Sequence, residues 1–379
     1  MSFRNLFFYG TLRDPDTRNV VLGPLAERIS ILPARLTGVR IHAVRHETYP
    51  IALPAEGHVA HGVVALDVPE EAVARISYFE DEFDYALDRR VVHLQDRRIE
   101  AELYLAHNEK LRADGDWDYE RWLRDHQPAF VSAAREYMSH YGRRPAEHGD
   151  RIWTGIRHRA LAAERAAEER IDRRLGAPLD ASDVEILRDE QPYADFFTVR
   201  DYTLRHRQFD GGVSEPLDRA VWMAADAVTV LPWDPVSDNV LLLEQFRPAP
   251  LARGDAAPWL IEPVAGRIDG REPPEAAARR EAEEEAGLTL GPMEEIAAYY
   301  PSPGIATEHV RSFVARADLS RHAEGIHGEV GEGEDIRTLI LPLAEAEAAL
   351  AQGEIRVGPL VMSLFWLRLH HERLRAAWA

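Results

Sequence analysis

The chain contains no cysteine among its 379 residues. That excludes disulfides, thiolate catalysis and cysteine-ligated zinc or iron–sulfur centres. A reducing cytoplasm is the compartment this composition fits most simply. No run of 18 apolar residues occurs, so no membrane-spanning helix is expected. Met1 to Asn5 start no apolar run, and Gly10, Arg13 and Asp14 follow soon after, so no signal peptide is expected. There is no G-x-G-x-x-G and no Gly-Lys-(Ser/Thr) phosphate loop. No His-Glu-x-x-His occurs, and His42 and His46, four apart, lie in a segment without helical character. Positive charge is scarce: Lys and Arg total 45 against 65 Asp and Glu, a net charge of −20. This balance argues against a nucleic-acid partner, because phosphate contacts need a basic surface. It favours cations, or anions that arrive with metal ions.

What is present is a globular composition, with 45% hydrophobic residues. The length suits two or three domains of roughly 100–200 residues each. Residues 1–145 read as mixed helix and strand. Strands are expected at Leu6–Tyr9 and Val59–Val68, and a hairpin between Arg89 and Leu105. A helix from Pro69 should bury Val73, Ile76 and Phe79. One or two helices over Tyr119–Tyr141 should bury Trp122, Phe130 and Tyr137. Residues 146–192 read as a partly helical linker, in which Ile152–Leu175, rich in Ala, Arg and Glu, reads as an exposed helix and Pro178 and Pro192 bracket a polar stretch. Residues 193–379 form the second domain. Strands are expected over Phe196–His206, Ala220–Leu231, Asn239–Phe246, Arg311–Ala315 and Asp335–Pro342. Trp233-Asp234-Pro235 reads as a turn, and helices are expected over Glu275–Glu285, Leu343–Ala351 and Pro359–Ala377.

The chemistry-bearing pattern lies between Gly266 and Leu288. Gly266 is followed after five residues by Glu272, and after seven more by Arg280-Glu281-Ala282-Glu283-Glu284-Glu285-Ala286-Gly287-Leu288. Pro273-Pro274 suits a helix start and Gly287 suits the residue after its end. Glu281, Glu284 and Glu285 then stand at i, i+3 and i+4 on one face of the last turns. Three carboxylates there oppose the helix dipole and repel each other, each effect costing a few tenths to about 1 kcal/mol. A solvated acidic helix end would also give this composition. Hard oxygen ligands in this spacing suit Mg²⁺, with Mn²⁺ also acceptable.

The spacing G-x5-E-x7-R-E-U-x-E-E-x-G-U resembles the signature of the Nudix hydrolases. A chance match at its fixed positions is on the order of one in a million. Ala282 stands where a bulkier aliphatic is common, which should touch packing rather than chemistry. The resemblance implies a C-terminal α/β/α sandwich that hydrolyses a nucleoside diphosphate linked to another moiety. It implies metal ligands at Glu281, Glu284, Glu285 and the Ala265 carbonyl, with Arg280 orienting the glutamates. Phe209-Asp210-Gly211-Gly212, Leu243-Glu244-Gln245-Phe246-Arg247, Glu262-Pro263-Val264-Ala265-Gly266, Tyr300-Pro301-Ser302-Pro303-Gly304 and Glu332-Gly333-Glu334-Asp335-Ile336-Arg337 resemble the ADP-ribose pyrophosphatase group. That implies ADP-ribose hydrolysis to AMP and ribose 5-phosphate. GDP-mannose or another nucleotide sugar is the alternative substrate. Glu332 becomes the catalytic base on a glycine-rich loop, with Glu329 in reserve and Glu334 assisting at a metal. Arg247, Arg219, Ser302 and Gly304 become substrate residues, Arg247 having a structural ion pair as its other reading. The resemblance also implies a homodimer that exchanges strands within residues 195–225.

Phe7-Phe8-Tyr9-Gly10-Thr11-Leu12 resembles the opening motif of the gamma-glutamylcyclotransferase-like (AIG2-like) fold, a small β-barrel with helices. The overall class is then α/β (α+β). In that fold the backbone of Tyr9, Gly10, Thr11 and Leu12 binds a carboxylate. Glu80, followed by Tyr85 and Arg89-Arg90, matches the general acid/base for cyclising a gamma-glutamyl amine. Asp81 replaces the glycine expected after it. A ligand-sensing barrel that regulates the hydrolase is the other reading. This domain order resembles bacterial two-domain proteins labelled tellurite-resistance factors.

Overall fold

The computed structural model describes all residues except 1–2, 46, 82–84, 107–110, 170–173 and 329–332. It divides into two units. The first comprises residues 1–172 with 194–197, and the second residues 173–193 with 198–379. No described helix is long and apolar enough to cross a membrane.

The first unit runs β1 (Phe3–Phe8), α1 (Pro15–Leu22), β2 (Ser30–Val44), β3 (Pro50–Pro69), α2 (Glu70–Asp81), β4 (Tyr85–His93), β5 (Arg98–Ala106), β6 (Ala113–Asp116), α3 (Tyr119–Asp125), α4 (Gln127–Met138) and α5 (Gly149–Glu168). The strands follow the order β3-β1-β5-β4-β2, and pairing of β2 with β3 closes a five-stranded barrel, while β6 extends β2. Period-two alternation along β1 divides its side chains. Phe7 and Tyr9 enter the barrel interior with Leu36, Val64, Val92 and Leu103. Leu6 and Phe8 face the helices instead. Against them α2 lays Val73, Ile76 and Phe79, spaced three apart as helical periodicity requires.

The sequence reading of residues 152–175 as an exposed connector helix differs from what the packing gives. Ile152, Trp153, Ile156, Ala160 and Leu161 of α5 form a single helical stripe buried in the first unit's core. The abundant Ala and Arg hide this stripe, because small and long polar residues dominate the count while five positions carry the burial. Trp153 sets its ring edge-on to Phe79, Phe130 and Tyr137 at centroid distances of 6.3, 5.6 and 5.8 Å. The long strand β2 was also not anticipated, since Pro33 and Gly38 interrupt its apolar pattern.

The second unit continues with β7 (Val184–Ala194), β8 (Thr198–His206), β9 (Leu217–Met223), β10 (Ala227–Asp234), β11 (Asn239–Phe246), α6 (Pro248–Arg253), β12 (Trp259–Glu262), β13 (Val264–Arg267), α7 (Pro274–Ala286), β14 (Met293–Tyr299), β15 (Val310–Arg316), β16 (Ile326–His327), β17 (Ile336–Pro342), α8 (Leu343–Gln352) and α9 (Gly358–Trp378). β7, β8 and β9 form a separate three-stranded sheet. The main sheet has the order β14-β15-β10-β11-β17-β16, with β12 on β11 and β13 on β10. One face buries Val228, Val230, Leu241 and Leu243 under Ala277, Ala278 and Ala282 of α7. The other buries Leu231, Trp233, Val240 and Leu242 against Leu343 of α8 and Leu360, Leu364 and Leu367 of α9. The result is a helix–sheet–helix sandwich. The expected strand Ala220–Leu231 is broken in two. At the break the Ala224 amide donates to Thr307 Oγ1 and the Asp226 carbonyl accepts from Ile268, so the chain leaves one sheet and enters the other. β10 also runs through Trp233 and Asp234, and the turn begins only at Pro235.

Truncating Trp153 to alanine should cost about 3–5 kcal/mol of first-unit stability, read by urea unfolding. An exposed connector residue would move it by less than about 0.5 kcal/mol.

Candidate active site

α7 starts with Pro274 in its first turn and ends at Gly287, whose φ is +60°. The Gly287 amide donates to the Glu283 carbonyl and Leu288 to Ala282, a closing pattern that needs a left-handed residue at Gly287. The helix lies on β13, which pairs with β10 through Val228↔Gly266 and Thr229↔Ala265. A Cβ on Gly266 would sit 1.9 Å from Glu281 Cδ. Only glycine therefore lets Glu281 lie on the strand. The small side chain of Ala282, fully buried, belongs to the same close approach.

One of the three helix carboxylates, Glu285, is buried at this junction, and Glu281 is largely covered, its side chain 12% exposed. Glu285 is 3% exposed and accepts a 2.9 Å hydrogen bond from the Ala265 amide. Burial pushes its pKa up to about 8, and the charges of Glu281 and Glu334 add to the effect. Burial likewise raises Glu281 to about 7, against the pull of Arg280. Arg280 is the organiser expected from its position. Its Nη1 donates to Glu281 at 2.9 Å and to Glu284 at 2.8 Å. Its Nη2 donates to Glu272 at 2.8 Å and to the Arg267 carbonyl at 2.9 Å. Glu272 also accepts from the Asp269 amide, so it ties the loop before α7 to the helix. Surrounded by these carboxylates, the Arg280 guanidinium is held charged well above its ordinary range.

Glu334 comes close enough for its charge to act on Glu285 and Arg247. Glu332 and Glu329 lie outside the described residues. Arg247 follows β11 and grips Glu262 with both Nε (3.0 Å) and Nη2 (2.7 Å), so its ion-pair reading is realised beside the carboxylates. Ser302 turns its loop by accepting the Ile305 and Ala306 amides on its carbonyl. Gly304 lies in the same loop, which pairs with Trp222 at the end of β9. Arg219 sits on β9 opposite Tyr202, exposed, with its guanidinium on the Asp218 carbonyl. No described hydrogen bond or ion pair links Arg219, Ser302 or Gly304 to α7.

Two acidic residues at the site were not singled out from sequence as functional. Glu262 is 5% exposed. Glu308 has its pKa raised by burial, with Arg247 opposing. A charge closing the apolar run Trp259-Leu260-Ile261 was the available signal for Glu262. The donor set is all oxygen: three side-chain carboxylates and the carbonyl of a residue whose amide is already used. Together with the cradle at Gly266 it fits a hard divalent cation. Among the described residues no three such groups yet converge as a ligand cluster. Arg280 holds Glu281 and Glu284 in that position.

The first unit holds a second concave site, where Tyr9, Gly10, Thr11, Leu12, Tyr104 and Glu80 meet. Gly10 leaves room for Pro50, whose Cγ a Cβ would approach to 3.1 Å. The Tyr9 hydroxyl donates to the Tyr104 carbonyl at 2.8 Å, and the Tyr104 hydroxyl meets Ser77 Oγ at 2.7 Å. Burial alone pushes Glu80 up to about 8. It is the only carboxyl lining this pocket among the described residues. Arg89 and Arg90 lie on β4, where Arg90 pairs with Asp88 and Arg89 with Glu102.

Comparison with known proteins bears on both units. The model of the gamma-glutamyl cyclotransferase, AIG2-like family matches residues 6–123, and that of the NUDIX domain matches residues 223–361. An ADP-ribose pyrophosphatase of Escherichia coli (strain K12) is 39% identical over 198 residues, covering 52% of this chain and 94% of that protein. One from Haemophilus influenzae is 34% identical, covering 52% and 91%. A GDP-mannose pyrophosphatase of Escherichia coli O1:K1 is 33% identical over 188 residues, covering 50% and 96%.

The raised carboxyls set a pH dependence. Between about pH 4.5 and pH 8 the folded chain retains protons on Glu281 and Glu285 that the unfolded chain releases. Stability conferred by the protonated forms therefore falls as pH rises through that window. Without divalent ions, Glu285→Gln should melt a few degrees higher than wild type at pH 8 and nearly level with it at pH 5, by calorimetry. A lower melting temperature at pH 8 would mean that the Glu285 charge is already compensated.

Proposed function

The chain belongs to the Nudix hydrolases, and from that membership we propose that its second unit hydrolyses ADP-ribose to AMP and ribose 5-phosphate with Mg²⁺. Nudix hydrolases generally use divalent metals. The observation that carries the proposal is the pair of carboxylates, the largely covered Glu281 and the buried Glu285, laid on Gly266 and Ala265. The 39% identity to ADP-ribose pyrophosphatases favours ADP-ribose over GDP-mannose. Glu281, Glu284, Glu285 and the Ala265 carbonyl would hold the cation, with Glu334 joining from its loop. Mn²⁺ fits the same oxygens. When bound, such an ion polarises the pyrophosphate and lowers the pKa of a coordinated water. Arg280 orients Glu281 and Glu284. Glu332 takes the proton of the attacking water, whose oxygen joins one phosphorus while the bridging P–O bond breaks. Arg247 offers a guanidinium to a substrate phosphate. Arg219, Ser302 and Gly304 serve the nucleoside and sugar ends. Exposed Phe209, Val213 and Trp222 support a homodimer that exchanges strands within residues 195–225. A cysteine-free chain supports a cytoplasmic location.

A second activity is favoured by Glu80 in the first-unit pocket. A carboxyl with a pKa near 8 exchanges protons readily at neutral pH. We propose that it moves the proton when a gamma-glutamyl amine closes to 5-oxoproline, while the backbone at Tyr9 to Leu12 holds the substrate carboxylate.

With Mg²⁺ and a panel of nucleotide sugars, AMP should appear from ADP-ribose faster than GMP from GDP-mannose. The reverse order would reassign the substrate, and no product from any would remove the hydrolase reading. Wild-type chain should release 5-oxoproline from gamma-glutamyl amines, and folded Glu80→Gln should lose at least about a hundredfold in rate. Equal rates would remove Glu80 from the chemistry.

A further inference from the structure

Arg247 is a partly exposed cation, its side chain 40% accessible, with several acidic neighbours. Glu262, Glu285, Glu334 and Glu308 all act on it, or feel its charge. Only Glu262 makes hydrogen bonds to it. Its two oxygens take Nε at 3.0 and 3.1 Å and Nη2 at 2.7 Å, and Nη1 has no partner among the described residues. Glu262 makes no other described side-chain bond, and it is nearly inaccessible to water.

The fork has a fixed origin in the backbone. Glu262 ends β12, directly opposite Leu243 of β11, and both face α7. Arg247 stands just past the end of β11, and its amide donates to the Pro258 carbonyl, so the two strands that carry the pair are themselves stitched together. A bidentate, charge-assisted fork on a buried carboxylate is the strong pairing open to a guanidinium in this place. If Glu262 could not accept, the other carboxylates whose charges reach Arg247 are Glu285, Glu334 and Glu308, the first two belonging to the proposed cation site.

We infer that Glu262 is a positioning residue: by engaging Arg247 in a bidentate fork it keeps the guanidinium off Glu285 and so leaves Glu285 free to bind a divalent cation. The inference rests on the proposed cation site. It adds that the site stays open because a second buried carboxylate holds the competing cation. The same fork leaves Nη1 for an incoming phosphate, so substrate and metal can occupy the site together.

The test is Mn²⁺ binding to the full chain without substrate, with free Mn²⁺ read by electron paramagnetic resonance. Glu262→Gln should bind Mn²⁺ at least about tenfold more weakly than wild type. Adding Arg247→Met to it should restore affinity to within about threefold, because the intruding cation is gone. Unchanged affinity in Glu262→Gln overturns the inference. So does equally weak binding in the double variant, which would mean that Glu262 acts on the site through its own charge or through the fold. Should Glu262→Gln fail to fold, Arg247→Met alone decides: binding at least as tight as wild type supports the inference, and weaker binding overturns it. Wild-type chain that binds no Mn²⁺ removes the cation site itself, and the inference with it.

Discussion

A carboxylate taken out of water has to be protonated, hydrogen-bonded or matched by a cation. The second unit is arranged around that constraint at Glu285. The chain supplies one hydrogen bond, from Ala265, and otherwise leaves the group under-compensated. Everything nearby follows from keeping it so. Gly266 lets the helix come down onto the strand, Ala282 avoids pushing it off, and Arg280 is spent on Glu272, Glu281 and Glu284 rather than on Glu285. A structural salt bridge at this place would have been more stable without a cation and useless with one.

The two units use the same physical device for different ends. Glu80 and Glu285 both have their pKa pushed to about 8 by burial. Glu80 lies among tyrosines and backbone, with no other carboxyl lining its pocket among the described residues. It has nothing to share a metal with, and its natural event is gain or loss of one proton. Glu285 has Glu281 and Glu334 beside it, and a second and third acid raise the cost of ionisation in the absence of a counter-ion. On the proposed reading, their event is capture of a multivalent cation. The environment decides between acid–base and metal chemistry, because the side chain and its shift are the same.

The reach of the sequence follows the range of the interactions. α7 was legible because its constraints are local: proline at the start, glycine past the end, and carboxylates three and four apart. Period-three spacing likewise located α2 and its buried Val73, Ile76 and Phe79. α5 was misjudged because its stripe is visible only against the residues it packs on, which are far away in sequence. The break at Ala224–Asp226 was missed for a related reason, since Thr307 and Ile268 create it from outside the segment. Gly10, Tyr9 and Glu80 were nominated from two separate motifs, and the barrel closure that carries them to one pocket was not legible in either. Glu262 was quoted within a motif and its task overlooked, because a strand-ending acid acquires meaning only once its opposite strand delivers Arg247.

An acidic chain facing an anionic substrate presents an apparent contradiction. A net charge of −20 repels a nucleoside diphosphate at long range. Screening over roughly 8–10 Å removes most of that repulsion at physiological salt, so the contest is settled locally. At the site Arg280 is committed to three glutamates, and Arg247, bonded to Glu262 through Nε and Nη2, keeps only Nη1 for a phosphate. On the proposed function, the remaining charge of the substrate would be met by mobile divalent ions. The proposed dependence on such ions would then follow from how the arginines are bonded, since free guanidiniums would bind the diphosphate and fill the carboxylates without activating a water.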